Sequence, residues 1–186
     1  PVQTYDHTYD QVVSMGEILS TKIVNHYLKK VGINNLWIDV RDFIRTDNNY
    51  REAIVDWTAT ETLFAANIEQ YFMHHSICIT QGFIGGTLEG ISTTLGREGS
   101  DFSAAIFAHA MDAESVSIWK DVEGLLNADP KKFSHTVKLE KIPYREAIEL
   151  AYYGASVIHP KTLKPLQNKK IPLFVKSFIQ PEEEGS

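Results

Sequence analysis

The chain has little cysteine and no long apolar run, and both absences narrow the kind of protein it can be. The chain has one cysteine, Cys78, so it cannot form an internal disulfide. This cysteine lies in the apolar run HSICIT. We expect it to be a small core residue in a reducing compartment. No stretch approaches the ~20 apolar residues that a membrane-spanning helix needs, and no signal peptide opens the chain. These absences predict a cytoplasmic protein.

The chain also lacks an excess of basic residues and the residue spacing of a metal site. Its net charge of −6 argues against a general nucleic-acid surface or a surface for anionic membranes. It leaves room for a small anionic ligand held by a local arginine. His74 and His75 have no cysteine or carboxylate at metal-ligand spacing, so we predict no metal site from them.

What the chain does contain is an alternation of helical and strand-like segments. The pattern predicts helices over 12–30, 57–72, 101–112 and 143–154, and a short helix over 161–170 that is broken near Pro165. It predicts strands over 35–40, 75–80, 115–122 and 172–178, while 87–96 fits either a hairpin or a loop. The strands are short apolar runs, which are typical of an α/β fold with a mostly parallel sheet and helices on both faces.

Three polar loops that contain glycine are expected at one edge of this sheet. In such folds ligands bind beyond the carboxyl ends of the strands. QGFIGG follows the second predicted strand, GREGSD leads into a helix, and KDVEGLLNADP follows the third strand. Their convergence predicts the ligand site more strongly than any single loop does.

The segment GREGSD combines an arginine and an aspartate with the start of a helix. Ser100 or Asp101 is a good N-cap, and a helix N-terminus attracts anions. Arg97 fits a carboxylate or phosphate in two-point fashion, while Asp101 could accept hydrogen bonds from an ammonium group. The pattern suits a zwitterion such as an amino acid; the alternative is a capped helix with a surface arginine. Glu17 is either a second carboxylate for the same ammonium group or a solvated helix residue.

Asp121 lies at the end of the third predicted strand, before a loop that is rich in asparagine, aspartate and lysine. A carboxylate at this place commonly meets a ribose, a metal or a substrate. The alternative is a turn built from these polar residues and proline.

Taken in order, the motifs resemble those of aspartokinase over residues 9 to 180. They are S-x-G-E-x-L-S-T, W-x-D-V-R-x-x-I-R-T-D, I-T-Q-G-F-I-G, T-T-L-G-R-x-G-S-D, W-x-D-V-x-G-x-x-x-A-D-P and G-A-x-V-I-H-P. Each motif alone is weak, but the ordered set is highly specific. The resemblance implies the αβα sandwich of the amino-acid-kinase fold. It also implies transfer of the ATP γ-phosphate to the side-chain carboxylate of L-aspartate, at the start of lysine, threonine and methionine synthesis.

The resemblance also implies a role for individual residues. Arg97 would grip the substrate α-carboxylate, and Glu17 and Asp101 would contact the ammonium group, with Ser100 and Phe83 lining that site. The nucleotide would be lined by Lys120, Asp121, Leu126, Lys131 and Ser156. The implied ligands are ATP with Mg²⁺ and L-aspartate, and the full-length protein is expected to be a homodimer.

The chain departs from the family pattern at five positions. Glu98-Gly99 stands where many relatives have Gly-Gly. On the nucleotide side, Lys120, Leu126, Lys131 and Ser156 replace threonine, tyrosine, arginine and lysine. One hypothesis is that Lys120 supplies the phosphate-facing charge that is missing at Ser156.

The resemblance covers only the central and C-terminal part of a catalytic domain. The family's K-F-G-G segment, with its catalytic lysine, is expected upstream of Pro1, and its ACT domains beyond Ser186. We therefore expect the chain to be inactive alone. Another kinase of this fold, acting on glutamate, acetylglutamate or a nucleotide, is an alternative, although Glu17, Arg97 and Asp101 favour a free amino group. A catalytically silent regulatory paralogue is a second alternative.

Overall fold

Helices and short strands alternate along the chain in the computed structural model, as the periodicity predicts. The structure describes residues 4–128, 132–152 and 157–186. They divide into two compact units, the first ending at Ser103 and the second beginning at Ala104. The helices are α1 (Tyr5–Lys30), α2 (Trp57–Phe72), α3 (Gly99–Ala110), α4 (Tyr144–Tyr152) and α5 (Pro160–Lys169), with a 3-10 turn at Val40–Asp42. The strands are β1 (Leu36–Trp37), β2 (Cys78–Ile79), β3 (Ile84–Gly86), β4 (Ser92–Thr94), β5 (Val116–Lys120) and β6 (Leu173–Ser177).

The first unit is organised around α1, which is longer than its apolar pattern predicts. The helix begins at Tyr5 because Thr4 caps it, accepting a hydrogen bond from the backbone N of His7 at 3.2 Å. Its first two turns are largely polar, so they carry no apolar periodicity. The helix ends at Lys30, and Gly32 follows with a φ of 85°, which only glycine adopts without strain.

Two strand pairs complete this unit. β1 and β2 run parallel, and both are shorter than predicted, because the chain turns at Asp39, whose side chain caps the 3-10 turn. β3 and β4 form an antiparallel hairpin, with Ile84 opposite Thr94. The hairpin alternative for 87–96 is right only in part, because this range holds β4 and the turn, while β3 lies before it, inside QGFIGG, which the sequence predicts as a loop. α2 begins at Trp57 as predicted, because Asp56 caps it. It buries Phe64, whose ring centroid lies 5.0 Å from that of Phe43.

The second unit packs α4 and α5 against the parallel pair β5 and β6. These strands pair along their whole length, from Val116 opposite Leu173 to Lys120 opposite Ser177. The predicted break at Pro165 is wrong, because α5 runs through it to Lys169. Proline removes one backbone donor, but the buried Pro165 still accepts a hydrogen bond at its carbonyl from His109 Nδ1 at 3.0 Å. Among the described residues, no helix is long and apolar enough to cross a membrane.

Candidate functional site

Phe83 connects two of the loops that the sequence analysis singles out. It lies directly before β3 with a φ of 69°, an uncommon conformation for a bulky residue. Its backbone N donates to Ser103 Oγ at 2.9 Å, and its carbonyl accepts from the backbone N of Leu95 at 2.8 Å. Ser103 Oγ donates in turn to the carbonyl of Gly99 at 3.0 Å. These bonds tie Phe83 to the end of β4 and to the first turn of α3.

Two glycines allow the loops to touch. A Cβ atom placed on Gly99 would lie 2.6 Å from Phe83 Cδ2, and one on Gly82 would lie 3.0 Å from Ser100 Cα. A side chain at Gly99 would overlap Phe83, and one at Gly82 would press closely on Ser100, so close packing favours glycine at both positions. The contact brings Phe83 and Ser100 together, on the segment that also carries Arg97.

The first turn of α3 begins earlier than predicted. The N-cap prediction for Ser100 or Asp101 is wrong, because the helix starts at Gly99 and Asp101 lies within its first turn. Glu98 precedes the helix with a φ of 52°, and its carbonyl accepts from the backbone N of Phe102 at 3.1 Å. Arg97 and Ser100 are exposed at the surface of this turn, whereas Asp101 is half-buried and its Oδ2 atom is buried.

Glu17 is half-buried on α1, on the same helix as Asp10 and Thr21, which contact β4 and Gln81. Four residues after it, Thr21 Oγ1 donates to the Glu17 carbonyl at 2.9 Å and accepts from Gln81 Nε2 at 3.1 Å. Seven residues before it, Asp10 bonds to Thr94. Glu17 therefore lies between the contacts that α1 makes with the Gln81 segment and with β4. Burial raises the pKa of its carboxyl group above the usual value.

Sequence reasoning missed the polar residues that hold this arrangement together. Gln81 is buried, accepts from the backbone N of Val40 at 2.9 Å and donates to the Ile38 carbonyl at 3.2 Å. Asp10 and Ser103 are buried as well. Only Gln81 had a usable signal, as a single polar residue between a strand and the glycine of I-T-Q-G-F-I-G.

The residues predicted to line the nucleotide lie in the second unit. Lys120 ends β5 opposite Ser177, and Asp121 follows it in an exposed position, so both lie at the carboxyl edge of the β5–β6 pair. Leu126 forms an isolated antiparallel bridge with Lys138. Lys131 and Ser156 lie outside the described residues. The hypothesis that Lys120 supplies the positive charge that is missing at Ser156 therefore stays a prediction.

A cavity of about 720 Å³ lies elsewhere in the second unit. Its walls are mostly apolar, with Lys138 and Lys141 at the rim, and include Leu163 and Val175. Lys120, Asp121 and Leu126 do not line it, but Leu125 and Lys138, the chain neighbour and the bridge partner of Leu126, do, so the cavity borders the described part of the predicted nucleotide site. Tyr144 also lines it; its hydroxyl donates to the Ile171 carbonyl, and burial raises the pKa of this tyrosine to about 12.

Comparison with known proteins agrees with this geometry. A family model described as the amino acid kinase family matches residues 2–177. Lysine-sensitive aspartokinase 3 of Escherichia coli is 39% identical over 177 residues, which are 95% of this chain and 39% of that protein. Bifunctional aspartokinase/homoserine dehydrogenase 1 of Arabidopsis thaliana is 36% identical over 95% of this chain and 19% of its own length.

A crystal structure of E. coli aspartokinase III in complex with aspartate and ADP matches all of this chain and 41% of its own, with a TM-score of 0.93 and 37% identity. The chain thus spans about two fifths of the length of these E. coli proteins. The predicted α/β fold and the resemblance to aspartokinases are confirmed. The chain belongs to the amino acid kinase family.

Proposed function

We propose that residues 1–186 are the central and C-terminal part of an aspartate kinase catalytic domain. The reaction would transfer the γ-phosphoryl group of ATP to the β-carboxylate of L-aspartate, giving 4-phospho-L-aspartate and ADP. The aspartokinase relatives and the aspartate- and ADP-bound neighbour support this proposal. The observation that carries it is the packed contact of Phe83 with Gly99, because it joins the loop of Phe83 to the turn that follows Arg97.

The proposed aspartate site pairs each charge of the substrate with an opposite charge of the protein. Arg97 would bind the α-carboxylate through its planar guanidinium group. Glu17 and Asp101 would accept hydrogen bonds from the ammonium group, and Phe83 and Ser100 would form the adjoining wall. A substrate that lacks the amino group would leave two carboxylates without a cation, so the site should reject it.

Proton transfer is not needed to make the nucleophile. The β-carboxylate of aspartate has a pKa of about 3.9 and is ionised at neutral pH. One of its oxygens would form a bond to the γ-phosphorus while the bond from that phosphorus to the β–γ bridging oxygen breaks, and the electron pair leaves with ADP. Catalysis would then rest on positioning and on neutralising the charge of the transferred group. Arg97, Glu17 and Asp101 would supply the positioning.

The proposed nucleotide site lies at the carboxyl edge of β5 and β6. Lys120 offers a positive charge there and Asp121 an exposed carboxylate. Mg²⁺ commonly binds to one or two protein carboxylates and to the phosphates of its nucleotide, so a lone aspartate fits an ion that arrives with ATP. Asp121 would hold Mg²⁺, which would neutralise phosphate charge when bound. Leu126 would lie beside the nucleotide.

The experiment that tests this function is a calorimetric titration of the chain with L-aspartate, L-glutamate and succinate. We expect binding of L-aspartate, weaker binding of L-glutamate, whose side chain is one methylene longer, and no measurable binding of succinate, which lacks the amino group. Equal binding of succinate and L-aspartate would contradict the assignment of Glu17 and Asp101 to an ammonium group. A folded chain that binds none of the three would contradict the aspartate site itself.

A further inference from the structure

We propose that Asp10 is a positioning residue that sets the spacing between Glu17 and the Arg97 turn, and thereby the affinity for an amino-acid substrate. The inference rests on the proposed function, but its structural part can be tested separately. Within the described residues, the hydrogen bonds of Asp10 go to Thr94 and Arg51 and not to the residues assigned to the substrate. Asp10 acts through the backbone of the segments that carry them.

The Asp10 carboxylate is fully buried and bonded at both of its oxygens. Oδ2 accepts from the backbone N of Thr94 at 2.8 Å and from the backbone N of Arg51 at 3.0 Å. Oδ1 accepts from Thr94 Oγ1 at 2.9 Å. A buried carboxylate with this many donors is a rigid cross-link, because any displacement leaves a polar group unpaired in the interior. Asp10 thus fixes α1 to the end of β4 and to the Arg51 turn.

The Thr94 bonds act directly on the substrate-binding turn. Thr94 is the last residue of β4, and Arg97 follows three residues later. The carbonyl of Thr94 is held as well, by the backbone N of Ala53 at 2.9 Å. The next residue, Leu95, donates its backbone N–H to the Phe83 carbonyl. Fixing Thr94 therefore fixes the point from which the Arg97 turn and the Phe83 contact both begin.

The Arg51 bond acts on the same turn from outside. Arg51 has a φ of 72°, a left-handed conformation that is strained for arginine, and its backbone N is held by Asp10. The Arg51 carbonyl packs over Gly96, where an added Cβ would lie 3.1 Å from it. Gly96 immediately precedes Arg97. Asp10 thus holds both the strand that enters the turn and the backbone that packs against it.

Asp10 and Glu17 lie on one uninterrupted helix, seven residues apart. A helix rises about 1.5 Å per residue, so the two carboxylates are roughly 10 Å apart along the axis. The helix is stiff over two turns. The hydrogen bonds between Asp10 and Thr94 of β4 therefore set the position of Glu17 relative to Arg97. A ligand whose carboxylate is held by Arg97 and whose ammonium group is held by Glu17 is sensitive to this spacing.

The test compares Asp10→Ala and Asp10→Asn with Thr60→Val. Asparagine keeps the size of the side chain, accepts from both backbone donors through its oxygen, and donates to Thr94 Oγ1 through its amide. Thr60 is a matched control, because it is also fully buried and accepts from the backbone N of Arg45 at 3.1 Å, on α2. Each variant is measured by urea unfolding, by L-aspartate titration, and by hydrogen exchange of the Leu95 amide.

We expect Asp10→Ala and Thr60→Val both to lower the urea midpoint. Only Asp10→Ala should weaken L-aspartate binding, by roughly 10-fold or more, as displacements of about 1 Å do in positioned sites. Only Asp10→Ala should accelerate exchange of the Leu95 amide beyond the change in global stability. Asp10→Asn should restore both properties to within about threefold of the unmodified chain.

The proposal is overturned if the Leu95 amide and the aspartate affinity respond alike in Asp10→Ala and Thr60→Val, because Asp10 would then contribute stability alone. It is also overturned if Asp10→Asn behaves like alanine in aspartate affinity, because charge would then matter and geometry would not. If the unmodified chain binds no L-aspartate, the proposed function fails, and the Leu95 exchange still decides whether Asp10 positions the turn.

Discussion

Replacing Gly99 with alanine tests the contact on which the candidate site depends. The added Cβ would lie 2.6 Å from Phe83 Cδ2, 3.1 Å from Phe83 Cα and 3.3 Å from Leu95 Cβ. Two non-bonded carbon atoms cannot approach to 2.6 Å. The Phe83 backbone cannot move freely either, because hydrogen bonds to Ser103 and Leu95 fix it. The Phe83 ring must therefore rotate away or the start of α3 must shift.

Opposing effects set the size of the change. Alanine in a helix is more favourable than glycine by roughly 0.5–1 kcal/mol. Overpacking of this kind costs about 1–3 kcal/mol. We expect a net loss of about 1–2 kcal/mol in the free energy of unfolding, and a loss of roughly 10-fold or more in L-aspartate affinity, since the wall formed by Phe83 moves.

The matched control is Gly16→Ala in the middle of α1, where an added Cβ meets nothing within 4 Å. This variant should gain roughly 0.5–1 kcal/mol in urea unfolding. Urea unfolding and calorimetric titration of both variants provide the comparison. Stabilisation of Gly99→Ala by the same amount, with aspartate binding unchanged, would refute the argument.

Three further substitutions test separate parts of the account. Glu98→Gly should stabilise the chain by about 1 kcal/mol in thermal unfolding, because Glu98 has a φ of 52° and its Oε2 is buried with no hydrogen-bond partner among the described residues; a lower midpoint would contradict this. Burial raises the pKa of Glu17, and an ammonium ligand favours its ionised form, so L-aspartate affinity should rise with pH across that pKa. Calorimetry in two buffers should then show proton release that disappears in Glu17→Gln. Tyr144→Phe should cost about 1 kcal/mol at neutral pH. Because the pKa of Tyr144 is raised from 10.0 to about 12, its stabilising effect should be full below pH 10 and should fall as the pH rises to 12, a loss that the phenylalanine variant should lack.

Local sequence signals were sufficient to locate the helices of the described residues, but not all of their bounds. α2 begins at its first predicted residue because Asp56 caps it and an apolar face follows. The hairpin was ambiguous in the sequence, because each of its strands is only three residues long, β3 contains two glycines and β4 is polar. Pro165 misled the prediction, because the hydrogen bond that a proline forfeits inside a helix is offset here by the burial of one face of α5, which includes Leu163, Pro165 and Leu166, and no local pattern reveals that packing.

The contacts that assemble the site lie beyond the reach of periodicity. Asp10 and Thr94 are 84 residues apart in sequence, yet they share two hydrogen bonds. The left-handed conformation of Phe83 likewise follows from its bonds to Ser103 and Leu95, because a phenylalanine has no intrinsic preference for it. The preference for glycine that the resemblance implies at position 98, in contrast, has a local reason, because Glu98 has a left-handed φ of 52°.

The most direct measurement of the central claim is a calorimetric cycle with two proteins and two ligands. The proteins are the unmodified chain and Arg97→Ala, and the ligands are L-aspartate and β-alanine, which lacks the α-carboxylate. Removing one partner of such a charged contact typically costs about 2–5 kcal/mol, so L-aspartate should bind roughly 30-fold more weakly to Arg97→Ala. β-Alanine should bind both proteins equally weakly. Arg145→Ala, which removes an exposed arginine on α4, should change neither affinity. An Arg97→Ala variant that loses no affinity for L-aspartate, or that loses as much for β-alanine, would contradict the account.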